Sequence, residues 1–224
     1  MMEKQVVSKQ RVADHGEVFT SQREVNAMLD LVKQETERID SRFLEPACGT
    51  GNFLAEILKR KLQVVERRYR KSQLEYERYA VAAVSSIYGI DILEDNVKAC
   101  RQRLLGIFSE VYTGLYKKKA RGACIQAARY LLEKNIIFGD ALTLKTADGS
   151  QPITFSEWSF QGSMVKRRDF TFSSLLPERQ SRQPDLFSQE ALKSDLGEDV
   201  FLPSEVHSYP PIHFLRVGEE ENVQ

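Results

Sequence analysis

The stretch Phe43-Leu44-Glu45-Pro46-Ala47-Cys48-Gly49-Thr50-Gly51-Asn52-Phe53 constrains the fold more than any other part of the chain. A short apolar strand runs into a turn with two glycines, and a helical pattern begins directly after it. That order is how a doubly wound parallel sheet brings its backbone close to a nucleotide-like ligand at the carboxyl ends of its strands. Gly-Thr-Gly is weak on its own, because glycine turns are common. Its weight comes from two more strand ends farther along the chain.

These two short strands, Ser86–Asp91 and Asn135–Asp140, end in polar turns, as does the first over Arg42–Pro46. Between them, Leu54, Ile57, Leu58, Leu62 and Val65 keep the i, i+3, i+4 rhythm of a helix with one buried face. Val97, Leu104, Leu105 and Phe108 form a second stripe, interrupted at Arg101, and Cys124, Ala127, Ala128, Leu131 and Leu132 a third. Ahead of all three strands, Ser21-Gln22-Arg23-Glu24 has the spacing of a capping box, and Val25, Met28, Leu29 and Val32 then make an apolar face. Strands alternating with helices predict an α/β unit with a parallel sheet over residues 1–150. Residues 152–160 and 165–176, rich in Thr, Phe, Trp and Ser about Gln161-Gly162-Ser163, predict a β-hairpin extension over 151–176. Residues 177–224 hold five of the seven prolines and no sustained period, so an irregular acidic tail that packs only against a partner is expected there.

The two later strands end in carboxylates. Asp91 is placed to accept the ribose hydroxyls of an adenosine, and Asp140 to accept an adenine amino group. Each taken singly also reads as a helix cap or a turn aspartate. Three strand ends converging on one sheet edge weaken that reading.

Composition narrows the class. With 42% hydrophobic and 29% charged residues, the chain can build an ordinary globular core. No apolar run nears the roughly 18 residues that span a bilayer, and the N-terminal decapeptide has no apolar core for a signal. Cys48, Cys100 and Cys124 are too few and scattered for a disulfide framework or a zinc site, so free thiols in a cytoplasmic location, and no metal, are expected. The formal net charge of zero conceals an asymmetry. From Pro177 onward ten acids face four bases, a balance of −6, which leaves +6 on the rest. Basic residues cluster at Lys59–Lys61, Arg67–Lys71, Lys117–Arg121 and Lys166–Arg168, which suits a phosphate backbone and equally suits solvated helix faces.

Over about residues 8–145 the chain resembles the adenine-N6 DNA methyltransferases of restriction-modification systems. Asp14–Ser21 (DHGEVFTS) looks like their N-terminal motif, with Ser21 where proline is usual, and the resemblance puts Phe19 and Thr20 at the methionine end of the cofactor. Phe43–Phe53 is similar to motif I, which implies that Glu45, Ala47, Cys48, Gly49 and Gly51 surround the methionine portion of S-adenosylmethionine. Tyr88–Asp91 with Ile92 looks like motif II, where the acid binds ribose and the next apolar side chain covers adenine. Phe138–Leu142 looks like motif III and carries Asp140 and Ala141. The resemblance thus implies a partial Rossmann-like methyltransferase fold, residues 1–150 as its S-adenosylmethionine domain, and double-stranded DNA as a partner.

The family's fourth motif, Asn/Asp/Ser-Pro-Pro-Tyr/Phe after an apolar strand, holds the flipped adenine. Its polar side chain and a proline carbonyl accept from the target amine while the aromatic ring stacks on the base. This chain has one Pro-Pro pair, in Tyr209-Pro210-Pro211-Ile212. Tyrosine stands where the acceptor belongs, isoleucine where the aromatic belongs, and Ser204–Ser208 is no apolar strand pattern. Tyr209, Pro210 and Pro211 therefore read as a loop, or as a degenerate clamp. With three strands only, the first would lie at an open apolar edge that invites pairing with another chain. The reading is a cofactor-binding subunit completed in trans by a polypeptide carrying Asn-Pro-Pro-Tyr. Alternatives are a non-catalytic S-adenosylmethionine-binding regulatory or scaffold protein, and a methyltransferase for RNA or protein. An NAD-dependent dehydrogenase is weaker still, because Leu54 stands where the third glycine of Gly-x-Gly-x-x-Gly belongs.

Overall fold

The computed structural model describes residues 20–176 and 205–222, together with 8, 10, 11, 13, 17 and 18. Its first long element is α1 (Gln22–Leu31), whose start has the anticipated capping box. The Ser21 side chain accepts from the Glu24 amide, and the Glu24 carboxylate accepts from the Ser21 amide. A short turn of helix, α2 (Lys33–Thr36), leads into β1 (Phe43–Glu45). Two helices, α3 (Asn52–Tyr69) and α4 (Gln73–Ser85), cross to β2 (Ile87–Asp91). Two more, α5 (Glu94–Tyr116) and α6 (Gly122–Asn135), cross to β3 (Ile136–Asp140). Strands β1, β2 and β3 are parallel and adjacent in that order, and the two-residue β4 (Lys145–Thr146) closes the far side antiparallel to β3. The fold is α/β with a parallel sheet, as expected.

Both crossovers step the same way across the sheet, so the usual right hand puts both helix pairs on one face. The side chains of β2 agree. Ile87 points into the cluster built by Leu58, Leu62, Val84 and Leu131 on the helices. Tyr88 and Ile90, of the opposite parity to Ile87 and Gly89 respectively, point into a second cluster with Ile153, Phe155 and Phe172. That second layer is the hairpin, β5 (Thr154–Gln161) and β6 (Met164–Thr171), turning at Gly162 as the sequence predicts. The hairpin is no loose appendage, since polar bonds pin it. Tyr88 Oη donates to the Ser156 carbonyl (2.9 Å), and Trp158 Nε1 donates to Asn135 Oδ1 (2.9 Å). Asn135 in turn donates to the carbonyls of Ser85 and Ile87 (both 3.1 Å), so one buried amide joins β2, α6 and β5 with all its groups satisfied.

Helix α4 carries no single stripe that a periodicity search finds. It buries Tyr76, Ala80, Val81, Ala83 and Val84 around most of its circumference, between α3 and α6, and a helix buried all round loses its amphipathic signature. Glu77 within it is fully buried and ion-paired to Arg121, which stands at the start of α6. The Tyr112 hydroxyl donates to the same carboxylate.

The expected irregular tail is corrected for the part described. Residues 205–208 form β7 (Glu205–Ser208), and Ile212–His213 forms β8, both antiparallel to β6. A closing 3-10 segment over 214–222 buries Phe214 and Val217 in the main core beside α6. No apolar pattern announced β7, because all four of its side chains are exposed. It is held by the backbone groups that the edge of β6 offers. Residues 177–204, the larger part of that segment, lie outside the described residues.

Lys61 is the most unusual core residue. It lies on α3 with no exposed surface, its ammonium donating to the Ile39 carbonyl (3.1 Å), Ser86 Oγ (2.5 Å) and the Ser41 carbonyl. Burial pushes its pKa down to about 7. Between pH 7 and 8.5 the unfolded chain holds a proton on this lysine that the folded chain sheds, so this group makes stability rise with pH in that window. A slope of about 1 kcal/mol per pH unit is expected, absent in Lys61→Met, and denaturant unfolding across that range measures it. Equal slopes in the two proteins would show that Lys61 stays charged in its cage of oxygens.

Candidate functional site

The carboxyl ends of β1, β2 and β3 open onto a cavity of about 670 Å³, within the range of small-molecule sites. Of the residues expected at a cofactor, Thr20, Glu45, Ala47, Cys48, Gly49, Asp91, Ile92, Asp140 and Ala141 line it. Gly51 does not reach the cavity and sits behind it as the left-handed cap of α3 (φ 83°). A Cβ there would also come within 2.7 Å of Cys100 Sγ. Gly51→Ala is therefore expected to cost about 1–3 kcal/mol of stability by denaturant unfolding, from left-handed strain and collision together. Phe19 lies outside the described residues.

Asp91 is the hinge of the site. One oxygen accepts from the Gly49 amide (2.8 Å), and the other accepts from the Leu93 amide (2.9 Å) and Asn96 Nδ2 (3.2 Å). The strand-end aspartate thus ties the glycine turn to β2. A carboxylate has about four acceptor positions, and three are used, so room for one ligand hydroxyl remains rather than the two anticipated. Asn96 carries the network on, donating to Glu17 Oε1 (2.7 Å), while Arg11 bridges Glu17 and Asp95 at 2.5 Å each. Glu17 lines the cavity too, which makes it a second acidic acceptor beside Asp91. Its carboxyl is held below the ordinary range by the Arg11 guanidinium.

Glu45 behaves in the opposite way. Burial raises its carboxyl pKa, partly offset by a hydrogen bond from the Ala47 amide. A desolvated carboxylate facing a cavity is stabilised by a cation, such as the ammonium of an amino acid. Asp140 has the geometry of a turn aspartate, accepting from the Leu142 amide (2.8 Å) and the Thr143 hydroxyl (3.0 Å), and these bonds lower its pKa. Beyond them, Ile92 (50% exposed) and Leu142 (87% exposed) present apolar surface at the mouth, the kind that covers a flat base.

Sequence reasoning missed Glu17, Asn52 and Asn96. Asn52 donates to the Thr20 carbonyl (2.8 Å) and accepts from Arg103 (2.5 Å), which fixes the segment before α1 over the glycine turn. Two of the three carried a partial signal, since Glu17 lies within the DHGEVFTS stretch and Asn52 opens α3. Asn96 had none. Cys48, Cys100 and Cys124 are free and buried, and among the described residues no cluster of His, Cys, Asp or Glu could hold a metal.

Tyr209, Pro210 and Pro211 are not brought to this cavity. They come directly after β7 on the second sheet, where the Tyr209 amide donates to the Arg167 carbonyl (3.0 Å) and its ring lies against the Arg167 guanidinium (4.4 Å). Arg167 itself is buried and paired with Asp169 (2.8 Å). No helix among the described residues is long and apolar enough to cross a membrane. No family model, curated protein or solved structure matches the chain.

Proposed function

We propose that this chain is the S-adenosylmethionine-binding part of a DNA adenine-N6 methyltransferase, completed in trans by a second polypeptide, in a reducing cytoplasm. The observation that carries the reading is the convergence of the glycine turn, Glu45, Asp91 and Asp140 on one cavity at three adjacent strand ends. Each part of the cofactor has a matching group. The Gly49 turn gives close backbone approach, and Glu45, desolvated, suits the α-ammonium of the methionine portion. Asp91 and Glu17 suit ribose hydroxyls, and Ile92, Ala141 and Leu142 suit the adenine faces. The bound cofactor supplies an electrophilic methyl on sulfonium. What these residues do is orient it and exclude water, which is the positional part of methyl transfer.

Completion in trans is supported by β1. Its Phe43 amide donates to the Ser86 carbonyl of the β2 side (2.9 Å), so in a parallel ladder the Leu44 N–H and C=O point to the open edge. Leu44 is 42% exposed, and beside it an apolar groove of about 410 Å³ runs past Tyr88, Phe155, Phe170 and Leu175. An edge with no partner strand among the described residues, next to an apolar groove, suits an added strand. The test is titration of S-adenosylmethionine by calorimetry. Binding of NAD with no binding of S-adenosylmethionine would overturn the reading.

A further inference from the structure

The four basic runs of the sequence meet different fates in the fold. Lys61 of the first is buried, and in the last Arg167 pairs with Asp169 and Arg168 with Glu157. The other two, Arg67–Lys71 and Lys117–Arg121, come together. Tyr116 Oη donates to the Arg70 carbonyl (3.3 Å), and Gln73 Nε2 donates to the Lys119 carbonyl (2.8 Å), each across 46 residues of sequence. The Tyr116 ring packs edge-on against Tyr76 (5.3 Å) beneath them. The C-terminal ends of α3 and α5 thus form one pole bearing the exposed cations of Arg67–Lys71 and Lys117–Lys119, none of them in an ion pair among the described residues. Of the acids nearby, Glu77 is engaged by Arg121 and Glu75 by Arg78, which leaves Glu66 and, farther back along α5, Glu110.

The backbone at this pole is strained at a lysine. Lys117 has φ 50° and ψ −124°, a conformation glycine adopts freely and a lysine only at a cost. The pole also lies far from the cavity. Helix α3 leaves the glycine turn and runs 18 residues, and α5 starts just past Asp91 and runs 23. At 1.5 Å per residue that is roughly 27–35 Å.

Resting on the function proposed above, we propose that this pole is a second, remote contact for duplex DNA, taking phosphates about 8–10 base pairs from the nucleotide served by the cavity. Other macromolecules fit it less well. Protein interfaces are depleted of charge at their centres and enriched in aromatic groups, whereas among the described residues near the pole Leu74 is the one exposed large apolar side chain. Single-stranded RNA asks for free aromatic faces, whereas Tyr69 and Tyr79 stack on each other at 3.9 Å. Exposed cations on flexible stems make the contacts that position a duplex without reading its sequence.

The test is fluorescence anisotropy with a duplex of about 30 base pairs over a salt series, on the full chain. Two triple variants are compared with wild type, Lys117→Gln/Lys118→Gln/Lys119→Gln and Arg67→Gln/Arg70→Gln/Lys71→Gln. Each is expected to flatten the slope of log affinity against log salt by up to about 2.7, at about 0.9 for each phosphate no longer neutralised. Lys117→Gly separates binding from structure. Relief of the strained turn should raise the thermal midpoint while the slope falls by about 0.9. Unchanged slopes in both triple variants overturn the proposal. So does displacement of the duplex by polyglutamate or single-stranded RNA at equal charge, which would assign the pole to an acidic protein or to RNA. Titrating S-adenosylmethionine into the same proteins distinguishes the two readings. Absent cofactor binding with slopes that flatten as expected sinks the cofactor assignment alone, and intact cofactor binding with unchanged slopes sinks the remote contact alone.

Discussion

Transfer of a labelled methyl to adenine in duplex DNA is expected when this chain is mixed with a polypeptide carrying Asn-Pro-Pro-Tyr or Asn-Pro-Pro-Phe, and from neither protein alone. Binding a methyl donor does not place an adenine nitrogen in line with it. The residues proposed to hold the cofactor line the cavity at the β1–β3 strand ends, and the sole Pro-Pro pair is on the other sheet with its tyrosine against Arg167. The expected difference is therefore close to all or none. One substitution separates docking from chemistry. Leu44→Pro removes an N–H that faces the open edge and breaks no bond of the β1–β2 ladder, so cofactor binding should persist while complementation is abolished. Robust transfer by this chain alone, abolished by Pro210→Ala or Pro211→Ala, would make Tyr209–Phe214 the base clamp and end the split reading. The cofactor site would survive that result.

Asp91→Ala is expected to weaken S-adenosylmethionine binding by about 1.5–3 kcal/mol, roughly 10- to 150-fold, as charge-assisted hydrogen bonds disappear. The structure divides this effect in two. Part is direct, from the one acceptor position left for a ribose hydroxyl. Part comes through Gly49, whose amide loses its carboxylate partner and with it the register of the glycine turn. Glu17→Gln tests the acidic lining without that second part, because Glu17 faces the same cavity and does not touch the turn. Calorimetry giving wild-type affinity for Asp91→Ala would remove the adenosine end of the cavity from the site.

The legible portions of the fold are those where local pattern and burial coincide. Helices α3, α5 and α6 each show the core one stripe, and each is readable from it. Helix α4 is not, because it is surrounded on most sides and its apolar residues mark no face. Strand β7 is unreadable for the opposite reason, since nothing in it is buried and its partner supplies backbone groups and one long ion pair, Arg168 with Glu205 (4.0 Å). The site divides in the same way. Glu45, Asp91 and Asp140 end strands and Gly49 lies in the turn after β1, all announced by their neighbours, and they do share a cavity. Asn96, inside the first turn of a helix, carries no such mark, yet it joins Asp91 to Glu17.

Sequence by itself determined the alternation of strand and helix, the glycine turn and the three strand ends onto which the cavity opens. Those arise from side-chain period and from glycine's access to left-handed backbone, which are properties of neighbouring residues. Only the tertiary structure decided which charges remain usable. Lys61 and Arg167 look like members of basic runs, but α3 and β6 turn them inward, Lys61 to backbone oxygens far away in sequence and Arg167 to Ser156 across the hairpin and Asp169 on its own strand. Arg67–Lys71 and Lys117–Lys119 became one surface because two helices of similar length start at the same sheet edge and end side by side. Charge is written residue by residue, whereas its exposure and its neighbours depend on how whole elements pack.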